Sequence, residues 1–202
     1  MIHVVDNFFD DPYVIRKQAL KLEYYSDREG RWPGMRSHNI SKEIKNYIAL
    51  KSQSITQNLH LKISDRQFNC AFQFVTKDFR EGIFHADDFC DYTCIIFLSP
   101  DSIDYSGTEV CDDDHPPLIV PRKMLERKVK ENFYKDTKNF LKGYKYDRMR
   151  SKVNSFFDPI IKVPARFNRC LLFSGGNYHR AQKFYGKSIK DSRLTLVSFL
   201  TV

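Results

Sequence analysis

The C-terminal stretch from Phe167 to Val202 constrains the fold more than any other part of the chain. Cys170-Leu-Leu-Phe173 is a short apolar run stopped by Gly175-Gly176, which reads as a strand ending in a tight turn. Asn177 to Phe184 resumes as a strand carrying His179, and a polar loop follows. From Arg193 the pattern alternates, with Leu194, Leu196 and Ser198 on one face and Arg193, Thr195 and Val197 on the other. Three antiparallel strands are therefore expected here, carrying one histidine and an arginine at a strand start. That arrangement suits a metal ligand and an anion clamp, provided further ligands come from upstream.

Upstream lies His85-Ala-Asp87, after the strand-like run Phe68 to Val75 and before another, Thr93 to Leu98. Side chains two apart in extended backbone point the same way, so His85 and Asp87 can share a face. With His179 they make two imidazoles and one carboxylate, the facial triad that holds non-haem iron(II) and leaves coordination positions open. Taken alone, a His-x-Asp triplet and a histidine beside a turn are weak signals, since ordinary hydrogen-bonded histidines are common. The ordered set says more: strand, His-x-Asp, strand, long gap, apolar strand, turn, histidine, then Arg-x-Thr opening a final strand.

In that order the chain resembles the iron(II)/2-oxoglutarate-dependent dioxygenases, especially their prolyl-hydroxylase-like branch, over about residues 66 to 201. The resemblance implies a mainly β fold with flanking helices. Its core would be a double-stranded β-helix, a jelly-roll or cupin-like barrel, with N-terminal helices and a helical insertion. Thr93-Cys-Ile-Ile-Phe-Leu-Ser99, Gly107-Thr108 and Arg169-Cys-Leu-Leu-Phe173 would be core strands. It further implies iron(II) on His85, Asp87 and His179, with 2-oxoglutarate and dioxygen as cosubstrates. Arg193 would grip the distal carboxylate of 2-oxoglutarate, for which a guanidinium fork is well shaped. Thr195, on the same strand face, would add a hydroxyl.

Two positions depart from related patterns. Phe97 stands where prolyl hydroxylases commonly place a tyrosine that helps bind the cosubstrate. Phe199, six residues after Arg193, stands where repair-type nucleic-acid demethylases carry a second arginine. Asp87 is the carboxylate that related halogenases lack, so hydroxylation is the expected outcome. Val5-Asp-Asn-Phe-Phe-Asp-Asp-Pro12, Trp32-Pro-Gly-Met-Arg-Ser37 and Arg166-Phe-Asn-Arg169 are also similar to an uncharacterised group of bacterial and phage proteins, themselves presumed 2-oxoglutarate oxygenases. That likeness spans the chain and implies no particular substrate.

At 202 residues the chain reads as a single domain. Residues 1–65 form helical support, 66–110 and 165–202 the barrel strands, and 111–164 an insertion. Five cysteines, an odd number without a C-x-x-C pair, fit reduced thiols in a cytoplasmic protein better than a disulfide framework. Neither a signal peptide nor a membrane span is evident. The net charge of +8 is concentrated between Arg122 and Lys152, where 12 basic residues face 4 acidic ones. Asp101 to Asp114, by contrast, holds five Asp and one Glu with no basic residue.

Helices are expected from Pro12 to about Tyr24, with Asp11 as N-cap, and from about Ser41 to Asn58. Between them a Gly/Pro-rich loop presents Trp32 and Arg36 as candidate rim residues. In the insertion, Leu125, Val129, Phe133 and Phe140 form a helical stripe opposite the lysines. A protein or peptide substrate is favoured by the prolyl-hydroxylase-like strands. A nucleobase or small metabolite is the alternative. A third reading is a non-catalytic barrel whose basic segment, 122–152, holds nucleic acid; an intact triad with Arg193 argues against it.

Overall fold

Proline fixes φ and needs no hydrogen-bond acceptor, so Pro12 opens the first helix, α1 (Pro12–Ala19). Asp11 Oδ1 accepts from the Val14 amide at 3.1 Å and caps it. In this computed structural model, which describes residues 1–26, 32–38, 40–64, 69–111 and 150–202, α1 stops at Ala19, short of the expected Tyr24. Tyr24 instead enters a strand. Its hydroxyl donates to the Ala19 carbonyl at 2.9 Å, and its ring meets Phe74 edge-on at 5.1 Å. The second helix, α2 (Lys42–Thr56), is capped by Ser41 and ends at Gln57, whose φ of 57° is left-handed.

The strands pair antiparallel in two sheets. They are β1 (Ile2–Val5), β2 (Tyr24–Ser26), β3 (Met35–Ser37), β4 (Lys62–Ile63), β5 (Cys70–Val75), β6 (Tyr92–Phe97), β7 (Thr108–Val110), β8 (Ile161–Val163), β9 (Cys170–Ser174), β10 (His179–Ala181) and β11 (Arg193–Thr201). The large sheet runs β1-β9-β6-β11-β5-β3-β2, with β4 also on β11; the small one runs β10-β7-β8. Two facing antiparallel sheets with few helices make the expected double-stranded β-helix architecture. The three C-terminal strands, however, are not neighbours. β6 lies between β9 and β11, and β10 belongs to the other sheet.

Alternation sorts the large sheet into two faces. Leu194, Leu196 and Leu200 of β11 join Phe72, Ile96 and Leu172 in one core beneath Ala19, Ile44 and Ile48 of the helices. The opposite face carries Ile95, Phe97, Leu171 and Phe173 against Val110 and Val163 of the small sheet. Arg193 and Thr195 share that inter-sheet face. Trp32 and Arg36 correct the rim expectation: Arg36 lies in β3, paired into the sheet, and both side chains are buried.

Asn168 ties the N-terminus to this body. Its Oδ1 accepts from the Phe9 amide and its Nδ2 donates to the Phe9 carbonyl, both at 2.8 Å. The bonds hold Phe8 and Phe9 in the helix-covered core. Asn168→Ala leaves two buried backbone groups without these partners, at about 1–3 kcal/mol each. Urea unfolding should show a loss of about 2 kcal/mol or more with an unchanged m-value.

None of the five cysteines forms a disulfide. Among the described residues, no helix is long and apolar enough to cross a membrane. The stripe Leu125 to Phe140 and most of the basic segment lie outside the described residues, as does residue 112 onward of the acidic stretch.

Candidate metal centre

His85 and His179 come together through the backbone. The segment before β6 meets β10 as an antiparallel pair in which the two residues exchange both hydrogen bonds, at 3.1 and 2.9 Å. Directly opposed side chains lie on one face. The two imidazole centroids are accordingly 4.4 Å apart, and the His179 ring stands edge-on to Phe173 at 4.6 Å.

Asp87 is brought to them by the glycine turn after β9. Its amide donates to the Gly175 carbonyl at 2.7 Å, and the Cys90 amide donates to its own carbonyl at 3.1 Å. A Cβ on Gly175 would overlap the backbone carbonyls of both Asp87 and Cys90, so only glycine permits this approach. One Asp87 oxygen lies 3.3 Å from His179 Nε2 and the other 3.9 Å from His85 Nε2. The three donor atoms all lie within 4.8 Å of one another.

Each imidazole is held in the tautomer a metal needs. His85 Nδ1 is 2.8 Å from the Ile83 carbonyl and His179 Nδ1 is 3.0 Å from the Asn177 carbonyl. A carbonyl can only accept, so Nδ1 carries the proton and the Nε2 lone pair points to the shared space. Asp87 and His179 are buried, while the His85 side chain keeps 23% of its exposure and marks the open side. Two nitrogens, one carboxylate oxygen and an open side are the donor set that suits ferrous iron.

Thr93 at the start of β6 completes the support, donating its hydroxyl to Asp87 Oδ2 at 2.9 Å. Such outer partners orient ligands, and their loss typically weakens metal binding by roughly 10–100-fold. Thr93→Val should therefore bind Mn(II) at least about tenfold more weakly by isothermal titration, with little change in melting temperature. Nothing in the sequence marks Thr93 beyond its place opening an apolar strand. The Cys90 thiol beside it is pushed up to about 12, by burial first and by the Asp87 charge second, so it stays a neutral neighbour.

Arg193 stands at the other end of the inter-sheet layer. Its Nε donates to the Ser106 carbonyl at 3.1 Å, one terminal nitrogen donates to Thr108 Oγ1 at 3.2 Å, and its guanidinium lies 5.2 Å from the Phe97 centroid. The other terminal nitrogen has no hydrogen bond among the described residues, which leaves donors for an anion. Burial pushes the group down to about 10, so it is charged at neutral pH. On the small sheet Thr108 pairs with Ala181 and Val110 with His179. Thr108, which Arg193 bonds, and Val110, opposite His179, are thus two residues apart on one strand, ~7 Å along its backbone. Thr195 shares the face, but its hydroxyl makes a long 3.4 Å bond to the Gln73 carbonyl. Ser106 and Thr108 as partners of Arg193 are not legible in the sequence, because the strand order that joins them is long-range.

Solved structures share this architecture. HygX from Streptomyces hygroscopicus, with nickel and 2-oxoglutarate bound, superposes with a TM-score of 0.62 at 14% identity, covering 99% of this chain and 82% of its own. A prolyl hydroxylase from Trichoplax adhaerens, in complex with a hypoxia inducible factor peptide fragment, gives 0.56 at 15% identity, over 98% and 81%. A 2OG-Fe(II) oxygenase family oxidoreductase from Burkholderia pseudomallei gives 0.53 at 12%, over 99% and 84%. No curated protein matches the sequence. The fold is that of the 2-oxoglutarate and iron(II) oxygenases. Within it, the chain belongs to a family of unknown function, DUF6445, whose model matches residues 1–200.

Proposed function

We propose that this protein is a non-haem iron(II)- and 2-oxoglutarate-dependent dioxygenase that hydroxylates a protein or peptide side chain. The observation that carries the reading is the convergence of His85, Asp87 and His179 within 4.8 Å, with both imidazoles set to offer Nε2. His85, Asp87 and His179 would hold iron, and Arg193 would pair with the distal carboxylate of 2-oxoglutarate, with Thr195 beside it. When bound, iron and 2-oxoglutarate supply the oxidation: one oxygen atom of dioxygen enters succinate as CO2 leaves, and the other enters a substrate C–H bond.

The chain's own part is placement and exclusion. Thr93 and Gly175 hold Asp87, the Ile83 and Asn177 carbonyls hold the imidazoles, and Phe173 and Phe97 line the layer with apolar surface. Low polarity there strengthens the pairing of Arg193 with a carboxylate. A peptide substrate is supported by the likeness to the peptide-bound prolyl hydroxylase, and Asp87 favours hydroxylation over halide transfer. The test is release of succinate and CO2 from 2-oxoglutarate, dependent on Fe(II) and stimulated by a component of a peptide pool. Turnover absent with iron, ascorbate and every pool would overturn the reading.

A further inference from the structure

The small sheet has a second face, turned away from the metal donors. Alternation along β7, β8 and β10 puts Val110, Val163 and His179 toward the inter-sheet layer. Glu109, Lys162 and Arg180 then lie outside, where Arg180 and Glu109 are register partners joined by a bond of 2.6 Å. A groove of about 590 Å³ runs over this outer face, and none of the metal donors lines it. Glu109, only 4% exposed, belongs to its floor, while Lys77, Lys183 and Tyr105 are exposed and mark its rim.

The carboxylates of the groove are already matched. Glu109 pairs with Arg180 at 2.6 Å and with Lys162 at 3.6 Å, and Glu81 pairs with Arg180 and with Arg150, each at 3.4 Å. The two lysines of the rim are not: neither Lys77 nor Lys183 makes an ion pair among the described residues. Positive charge is therefore left over at the mouth of the groove.

The backbone holds these charges in place. The Lys77 amide donates to the Gly186 carbonyl at 3.1 Å, the Phe184 amide to the Arg80 carbonyl at 2.6 Å and the Lys183 amide to the Tyr105 carbonyl at 2.7 Å. The turn Lys77–Phe79, the loop after β10 and the loop before β7 are thereby tied into one wall. Arg80 and Tyr105 stand in that wall with left-handed φ of 56° and 60°, a conformation that side chains other than glycine adopt at a cost. Tyr105 is 76% exposed and adds a flat apolar surface to the rim.

An acidic peptide segment meets this lining with both kinds of group it carries. Its carboxylates suit the lysines, and its backbone amides can donate to Glu81, whose side chain keeps 35% of its exposure. A nucleic-acid backbone brings negative charge and acceptors only, which Glu81 and Glu109 repel. Glu81 and Lys183 are also cross-strand partners four residues along from His85 and His179, about 13 Å of extended backbone. A protein substrate is long enough to occupy both places at once.

We propose that this outer groove binds an acidic segment of the protein substrate through Lys77 and Lys183, apart from the residue that is oxidised. This rests on the reading of the protein as a dioxygenase of proteins or peptides and adds a sequence requirement to it.

The full-length protein, with Mn(II) and 2-oxoglutarate, is titrated with a fluorescein-labelled Glu-Gly repeat peptide of about eight residues, ~26 Å when extended. The Gln-Gly counterpart and an oligothymidylate of similar length are titrated alongside. The acidic peptide should bind at least about tenfold more tightly than the neutral one, and Lys77→Glu/Lys183→Glu should remove most of that difference. Lys17→Glu/Lys21→Glu makes the same charge change at exposed lysines on and just after α1, and should leave binding within about twofold. Both variants keep the basic residues between Arg122 and Lys152, so the difference between them reads the groove alone. In turnover, the groove variant should raise KM for the responding peptide and leave kcat unchanged, as lost uniform binding does. No preference for the acidic peptide, a preference kept in the groove variant, or an equal loss in the α1 variant overturns the proposal. So does a groove variant that weakens oligothymidylate as much as the peptide, which would make the groove a nucleic-acid site. Failure of the native protein to bind Mn(II) or 2-oxoglutarate, titrated separately, would instead count against the dioxygenase reading.

Discussion

Asp87→Ala is expected to abolish iron-dependent turnover of 2-oxoglutarate and to weaken Mn(II) binding by at least about 100-fold. The carboxylate is the only anionic member of the donor set His85, Asp87 and His179. Removing it leaves two neutral imidazoles to hold a divalent cation. The fold should survive, because Asp87 lies outside the helix-covered core built on Leu194, Leu196 and Ile96. Its loss leaves the Thr93 hydroxyl without its acceptor, at about 1–3 kcal/mol. Far-UV circular dichroism should therefore be unchanged, with a modest fall in melting temperature. His85→Ala should behave alike, since the His85 side chain is half-buried and its ring packs against that of His179 in the site. Retained Mn(II) affinity in either variant would defeat the assignment of these three ligands.

Arg193→Met should raise the apparent constant for 2-oxoglutarate at least tenfold while leaving Mn(II) affinity intact. Truncating one partner of a buried charge-assisted pair costs about 2–5 kcal/mol, and about 1.4 kcal/mol is already tenfold. Methionine keeps much of the length and apolar volume against Phe97 but provides no donor. The Ser106 carbonyl and Thr108 hydroxyl also lose their donors, so some stability is lost as well. The separation lies in the two binding constants, since general loosening would weaken the metal and the cosubstrate together. Arg193→Lys keeps the charge but not the fork, and should fall between the two. An unchanged 2-oxoglutarate constant in a folded Arg193→Met protein would remove this residue from the cosubstrate site.

Locally encoded features are legible in the chain itself. Asp11 and Pro12 start α1 and Ser41 starts α2, because capping depends only on residues within one turn. The faces of β11 follow from a period of two, which puts Arg193 and Thr195 on one face whatever strand lies beside them. The same rule pairs His85 with Asp87, and the Gly175-Gly176 stop is legible because glycine tolerates what a side chain would block.

Everything that depends on which strand lies beside which was decided by the tertiary structure. Periodicity sorts a strand into two faces but does not say which face turns inward, nor which strand pairs with it. Hence the last three strands are not a meander: β6 enters between β9 and β11, and β10 leaves for the small sheet. That exchange sets His179 opposite His85, two segments 94 residues apart in number. Trp32 and Arg36 show the same limit. A Gly/Pro-rich composition reads as an exposed loop, yet β3 pairs with β5 there and both side chains are buried. Local chemistry chose the residue types that can bind a metal and an anion. Long-range strand pairing alone put them within reach of one another.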